Sequence, residues 1–147
     1  MYKKYQDELI KLLKDNLEGV GVKEYFGELD NPNEGKFLTN SIPCIYVDFV
    51  GDDTTNGIYH NLYFSLYLLN ISFSKNEINK AKSKEDVLTL LADLYECIAY
   101  KKVIDSKPII LKKLRKIFDS ATNKGYLTVY TKELIMDIPN PLLKKGK

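Results

Sequence analysis

Residues Ile42 to Ser74, IPCIYVDFVGDDTTNGIYHNLYFSLYLLNISFS, constrain the fold more than any other part of the chain. They read as a short strand and a long strand joined by a polar loop from Gly51 to Asn61. Successive side chains of a strand point to opposite faces. Leu62, Phe64, Leu66 and Leu68 therefore point one way, and Tyr63, Tyr67, Leu69 and Ile71 the other. A strand apolar on both sides cannot face water on either. It belongs mid-sheet, beneath a helix on one face, and covered on the other by more sheet or by another subunit.

The rest of the chain supplies those partners. Residues Tyr2 to Glu18 place Tyr5, Leu9, Leu12, Leu13 and Leu17 on one face at helical spacing, with Lys, Asp and Glu opposite. Gly19 and Gly21 stop that helix, and Val20 to Phe26 reads as an edge strand. Gly27 to Asn40, GELDNPNEGKFLTN, is dense in Gly, Asn and Pro and reads as a loop. Pro43 opens the short strand, in which Ile45, Val47 and Phe49 alternate with Tyr46 and Asp48.

A second helix is expected to start at Ser83, with Asp86 completing a capping box, and to run to about Tyr100. Its apolar stripe is Val87, Leu90, Leu91, Leu94 and Ile98. Ile109 to Phe118 fits a short helix as well as a strand by its spacing, and Pro108 before it and Asp119-Ser120 after it lean towards a strand. After a turn at Asn123-Lys124-Gly125, Tyr126 to Ile138 is a strand whose inward set changes phase near Lys132. Leu127 and Val129 point inward before it, Leu134 and Met136 after it, and a β-bulge would reconcile the halves. Pro139 and Pro141 end the structure, leaving a frayed tail from about 140. The expectation is a single α+β domain over residues 1–147. It holds a mixed, mainly antiparallel sheet of about five strands with two packed helices, in the order α-β-β-β-α-β-β.

Composition narrows the function. A chain of 147 residues can bury a real core, and 22 basic against 20 acidic residues are too balanced for nucleic acid as the main partner. No apolar run approaches the roughly 20 residues that span a bilayer. The charged N-terminus lacks the apolar core of a signal peptide. Cys44 and Cys97, without metal spacing, read as reduced core thiols of a protein working in the cytoplasm. Eleven Tyr, six Phe and no Trp suit half-exposed sheet faces and interfaces.

Catalytic and cofactor patterns are missing. His60, the one histidine, reads as a loop-edge residue, because a metal site or a nucleophilic triad needs partners that spacing does not supply. Gly51 and Gly57 are separated by Asp52, Asp53 and Asn56, which would repel a phosphate rather than cradle it. Asp52 and Asp53 could meet a cation but read as a solvated turn, since the regular oxygen ligands of a calcium loop are absent. Lys112, Lys113, Arg115 and Lys116 form the one dense basic run. That run suits a solvated edge or a contact with an acidic neighbour. It lacks the interleaved aromatics of a nucleic-acid stacking platform.

The amphipathic first helix, IPCIYVDFVG, the long aromatic strand, DVLTLLADLYECI and the closing GYLTVYTKELIMDI together resemble a family of Mu-like prophage tail proteins similar to phage tail terminators. Pro43, Gly51 and the hairpin from Gly125 to Tyr130 carry most of the resemblance. It implies a structural protein, not an enzyme, with no cofactor. Its copies would form a homo-oligomeric ring, a hexamer, on the head-proximal end of the tail tube. The implied partners are the tube protein, with sheath and neck or head-completion proteins beyond it. The implied locations are the host bacterial cytoplasm during assembly and the virion or tail-like particle afterwards. The resemblance also implies that Ile109 to Phe118 is a strand. Candidate ring and tube contacts are the Gly27–Asn40 and Gly51–Asn61 loops, with Glu34, Lys36, Asp52 and Asp53, together with Lys112, Lys113, Arg115 and Lys116. A head–tail joining or completion protein, or a small cytosolic enzyme with an unrecognised site, would be the alternatives.

Overall fold

The computed structural model describes residues 2–32, 43–54, 57–73 and 76–140. Its elements are α1 (Tyr2–Asn16), β1 (Gly21–Glu24), β2 (Cys44–Asp53), β3 (Tyr59–Ser72), α2 (Glu77–Ile98), β4 (Ile110–Ala121) and β5 (Tyr126–Pro139). The strands form one sheet in the order β1-β2-β3-β5-β4, parallel between β1 and β2 and antiparallel elsewhere. The fold is therefore α+β with a mixed, mainly antiparallel sheet, as the order of elements led us to expect. Among the described residues no helix is long and apolar enough to cross a membrane.

The helix-side face of β3 is buried along its length, and the opposite face is buried at its Leu69–Ile71 end and half-exposed at Tyr63, Ser65 and Tyr67. Leu62, Phe64, Leu66 and Leu68 pack with Ile45, Val47, Leu134 and Met136 beneath the stripes of α1 and α2. On the opposite face Cys44, Tyr46, Leu69, Ile71, Leu127 and Val129 form a smaller cluster, covered by Tyr25, Leu29 and Phe118 of the same chain. The two cores sit on opposite sides of the sheet, and the smaller one occupies only one end of the strands. Both cysteines are free and buried, and burial pushes the Cys44 thiol up to about 12.

This arrangement corrects the reading of β5. Its register against β3 runs unbroken from Tyr59–Pro139 to Ser72–Tyr126, so there is no bulge at Lys132. The apolar phase changes because Leu127 and Val129 serve the small core, whereas Leu134 and Met136 serve the helix side. The register shifts lie instead in β2, between Phe49 and Gly51, and in β4, between Leu111 and Leu114 and between Lys116 and Phe118.

Two further boundaries differ from expectation. The Gly51–Asn61 loop is mostly strand: Gly51, Asp52 and Asp53 pair with Tyr63, Leu62 and Asn61. Side-chain hydrogen bonds satisfy these polar strand ends, with Asp53 accepting from Asn61 Nδ2 at 2.9 Å and from the Tyr63 hydroxyl. α2 begins at Glu77 rather than beside Ser83. Asn76 caps it, its side-chain oxygen accepting from the Ile78 backbone N–H at 2.8 Å, and Ser83 is buried inside the helix. Asn79, Lys80 and Lys82 extend the helix because its first turns need only a solvated face.

Candidate assembly surface

β4 is the outer strand beside β5, and among the described residues it pairs with β5 alone. That position resolves the charge pattern. Lys112, Lys113, Arg115 and Lys116 fall on both faces of a strand, which would be costly mid-sheet but is tolerated at an edge open to water on both sides. Arg115 sits opposite Thr131 on the helix-free face, and Lys116 opposite Tyr130 on the helix face. Lys112 and Lys113 occupy the first register shift and carry exposed side chains.

Beneath that shift lies a residue the sequence did not single out. Lys132 is only 3% exposed. Its Nζ donates to the Tyr95 hydroxyl and to the Lys112 carbonyl, both at 2.5 Å, and lies 4.6 Å from the Tyr95 ring centroid. An ammonium out of water needs acceptors. The Lys112 carbonyl is one of them, freed at the register shift from the regular β4–β5 pairing. The buried lysine thus ties β4 to β5 and to α2, and holds the Lys112–Lys113 segment in place.

The other end of β4 is tied by a carboxylate. Asp119 meets Lys84 of α2 at 2.8 Å and Lys116 at 3.3 Å. Burial pushes the Asp119 carboxyl upward, but hydrogen bonds from Lys84, Tyr126 and Lys116 outweigh it and hold the group at about 2. Its folded value lies below its ordinary one, so its contribution is complete above about pH 4 and lost as pH falls through about 2. The shift corresponds to roughly 2 kcal/mol, and solvent screening at the two partly exposed lysines reduces it to about 1 kcal/mol. We expect the wild type to lose that amount between pH 4 and pH 2 in urea titrations, relative to Asp119→Asn. Parallel acid profiles for the two proteins would show that this ion pair does not hold the edge.

Asp52 and Asp53 separate to opposite faces. Asp52 lies on the helix side, where its Oδ2 accepts from the Tyr2 hydroxyl at 2.6 Å and lies 2.5 Å from His60 Nε2. Hydrogen bonds from Tyr2 and then from His60 lower the Asp52 carboxyl below its ordinary value. His60 is buried rather than a loop-edge residue, because it pairs with Ile138 inside the β3–β5 ladder. Among the described residues its partners are Asp52 and Tyr2, one carboxylate and one phenol. The arrangement closes the N-terminus of α1 onto the β2–β3 hairpin.

The structure brings Asp52, Lys112 and Lys113 to the rim of one open groove of about 540 Å³, whose walls include Tyr63, Ser65, Glu133 and Ile135. Arg115 and Lys116 stand further along the same edge. Glu34 and Lys36 lie outside the described residues, as does most of the Gly27–Asn40 loop. The sequence also gave no warning of two exposed aromatic rings, Phe26 and Tyr100, 79% and 86% exposed. Phe26 follows an edge strand and Tyr100 follows a helix end, positions where an exposed ring carries no periodic signal. No protein-family model and no curated protein matches this chain.

Proposed function

We propose that this chain is a ring-forming structural protein of a phage or phage-derived tail, closing the tail tube at its head-proximal end. The observation that supports it is the opposite charge of the two sheet edges. The β4 edge carries Lys112, Lys113, Arg115 and Lys116 against Asp119 alone. At the other edge β1 and the turn after it carry Glu24, Glu28 and Asp30 against Lys23 alone. Two β4 edges repel each other, whereas β4 of one copy attracts the β1 edge of the next. Such a head-to-tail contact generates a ring when the rotation closes. A rigid body with a two-faced core suits a part whose job is to hold a neighbour's position.

The double reversal Arg115→Glu with Lys116→Glu tests this. We expect it to weaken association about tenfold or more and to abolish rings in negative-stain images, while circular dichroism shows the wild-type fold. Rings that persist in the variant would overturn the edge contact. Tails that lack heads decide between capping and joining: a subunit present on them fits a tube cap, and a subunit found only on the portal side fits a head–tail joining protein.

A further inference from the structure

We propose that neighbouring subunits lock together by seating the Phe26 ring of one copy in an apolar groove beside Tyr100 of the next. The contact is the association step that the ring reading needs, but it stands whether or not the assembly closes.

The donor side is a braced turn. Phe26 follows β1 and its backbone N–H donates to Glu28 Oε1 at 2.5 Å. The Asp30 N–H donates to the Gly27 carbonyl at 3.1 Å, and the Tyr25 hydroxyl donates to Asp30 Oδ1 at 3.1 Å. Gly27 takes φ +84°, and a Cβ there would come within 2.8 Å of Asp30 Oδ2. Tyr25 anchors the turn from below, its ring 4.6 Å from Tyr67 and 5.9 Å from Tyr46 between centroids. With Tyr25 held inward, Phe26 is left pointing out at 79% exposure, flanked in the chain by Glu24, Glu28 and Asp30, of which Glu24 accepts from Gln6 Nε2 at 2.7 Å. A Phe left in water on a fixed turn is a preformed anchor.

The acceptor side is at the opposite edge. Tyr95, Ala99, Tyr100, Pro108, Ile109 and Leu111 line a groove of about 510 Å³ between the end of α2 and the start of β4. Tyr100 sits at φ +62° just past the helix, a conformation that a bulky residue rarely adopts. It is held there by Lys101 N–H donating to the Ile98 carbonyl at 3.1 Å and by Ile109 N–H donating to the Lys101 carbonyl at 2.8 Å. Exposed Lys101, Lys102, Lys107, Lys112 and Lys113 flank the lining residues along the chain, with Asp105 the one acid among them and Lys107 Nζ lying 3.8 Å over the Tyr59 ring. An apolar ring flanked in the chain by carboxylates thus has its counterpart in an apolar groove flanked in the chain by lysines.

The two features are also level. Phe49, Phe64, Leu134 and Leu111 form one row across the sheet. Phe26 follows the Glu24–Val47 pair by two residues, which brings it near the Phe49 end of that row, and Leu111 is in the groove at the other end. One copy cannot reach its own groove, because the whole width of the sheet intervenes. Pairing two Phe26 turns would oppose two sets of flanking carboxylates, and pairing two grooves would oppose two sets of flanking lysines. Only head-to-tail seating satisfies both, and it leaves a free ring at one end and a free groove at the other.

The test uses two single variants and their mixture, followed by light scattering from micromolar to about 1 mM. Phe26→Asp removes the ring from an exposed site, and Tyr100→Asp removes the groove wall with a residue that tolerates the left-handed backbone. We expect the wild-type mass to climb above 16.9 kDa with concentration. Each variant alone should remain monomeric with an unchanged circular dichroism spectrum. An equimolar mixture should form dimers and nothing larger, since one intact ring meets one intact groove. A mixture that stays monomeric, a variant that associates like the wild type, or a wild type that is monomeric throughout would each overturn the contact. Wild-type filaments that never close, or rings that ignore tube protein, would support the contact while rejecting the tube-capping function.

Discussion

Phe64→Ala should lower the unfolding free energy by about 4 kcal/mol and the melting temperature by about 12 °C. Phe64 is wholly buried at the centre of β3, the middle strand of the sheet. Its ring meets Phe49 edge-on, with centroids 5.5 Å apart at 63°, and Phe49 stacks on Tyr2 at 5.0 Å and 22°. The ring row therefore links the start of α1 to β2 and β3. Truncation removes the transfer energy of the ring and leaves a cavity that rigid strands on both sides cannot close. Phe73→Ala is the control, since Phe73 is 68% exposed and should change stability by less than about 0.5 kcal/mol. Urea unfolding checks both, with the midpoint moving and the slope unchanged for Phe64→Ala. A loss below about 1 kcal/mol would show that the helix layer does not rest on this row.

The parts of the fold that could be read in advance are those where one physical demand dominates. The α1 stripe and the helix-side alternation of β3 each answer to burial alone and are found as read. The second face of β3 is buried at Leu69 and Ile71 but half-exposed at Tyr63 and Tyr67, where the hydroxyls tolerate water. Ile109 to Phe118 was ambiguous because an exposed edge strand is under almost no burial constraint, so its apolar spacing carries little information. The start of α2 was misplaced for a related reason. Asn76 and Ser83 are both competent caps, and only the tertiary position of the chain after β3 decides between them. In β5 a bulge and a change of buried face predict the same pattern of Leu127, Val129, Leu134 and Met136. The unbroken ladder to β3 separates them.

The candidate surface was legible only in its charges. The basic run marks β4 as an edge, but the acidic edge across the sheet is spread over Glu24, Glu28 and Asp30 and forms a patch only once β1 and its turn are placed. Lys132 is marked in the sequence by nothing more than the point where the apolar phase changes. Its meaning depends on Tyr95, which is 37 residues away, and on the Lys112 carbonyl, a backbone atom that no side-chain pattern reveals.

Gly125→Ala should cost about 3 kcal/mol, far more than an exposed turn glycine normally would. Gly125 closes the β4–β5 turn, where Thr122 Oγ1 accepts from the Lys124 and Gly125 N–H groups at 3.1 Å each. Its φ of +151° is disfavoured for a side-chain-bearing residue. A Cβ there would also lie 2.6 Å from the Ser72 carbonyl oxygen and 3.1 Å from Ile71 Cγ1. The obstacle is the backbone of the central strand, which cannot yield without moving the ladder to β5. Gly19→Ala separates the two effects: it shares a positive φ, +71°, but meets nothing within 4 Å, so it should cost only about 1 kcal/mol. The consequence reaches assembly, because the turn sets where β4 lies and so where Lys112, Lys113, Arg115 and Lys116 stand. Gly125→Ala should therefore lose stability and association together, whereas the Arg115 and Lys116 reversal loses association at a stability cost of only about 1 kcal/mol, through the lost Lys116–Asp119 contact. Equal losses for Gly125→Ala and Gly19→Ala in urea unfolding would mean that conformation, not the contact with β3, is what requires glycine at this turn.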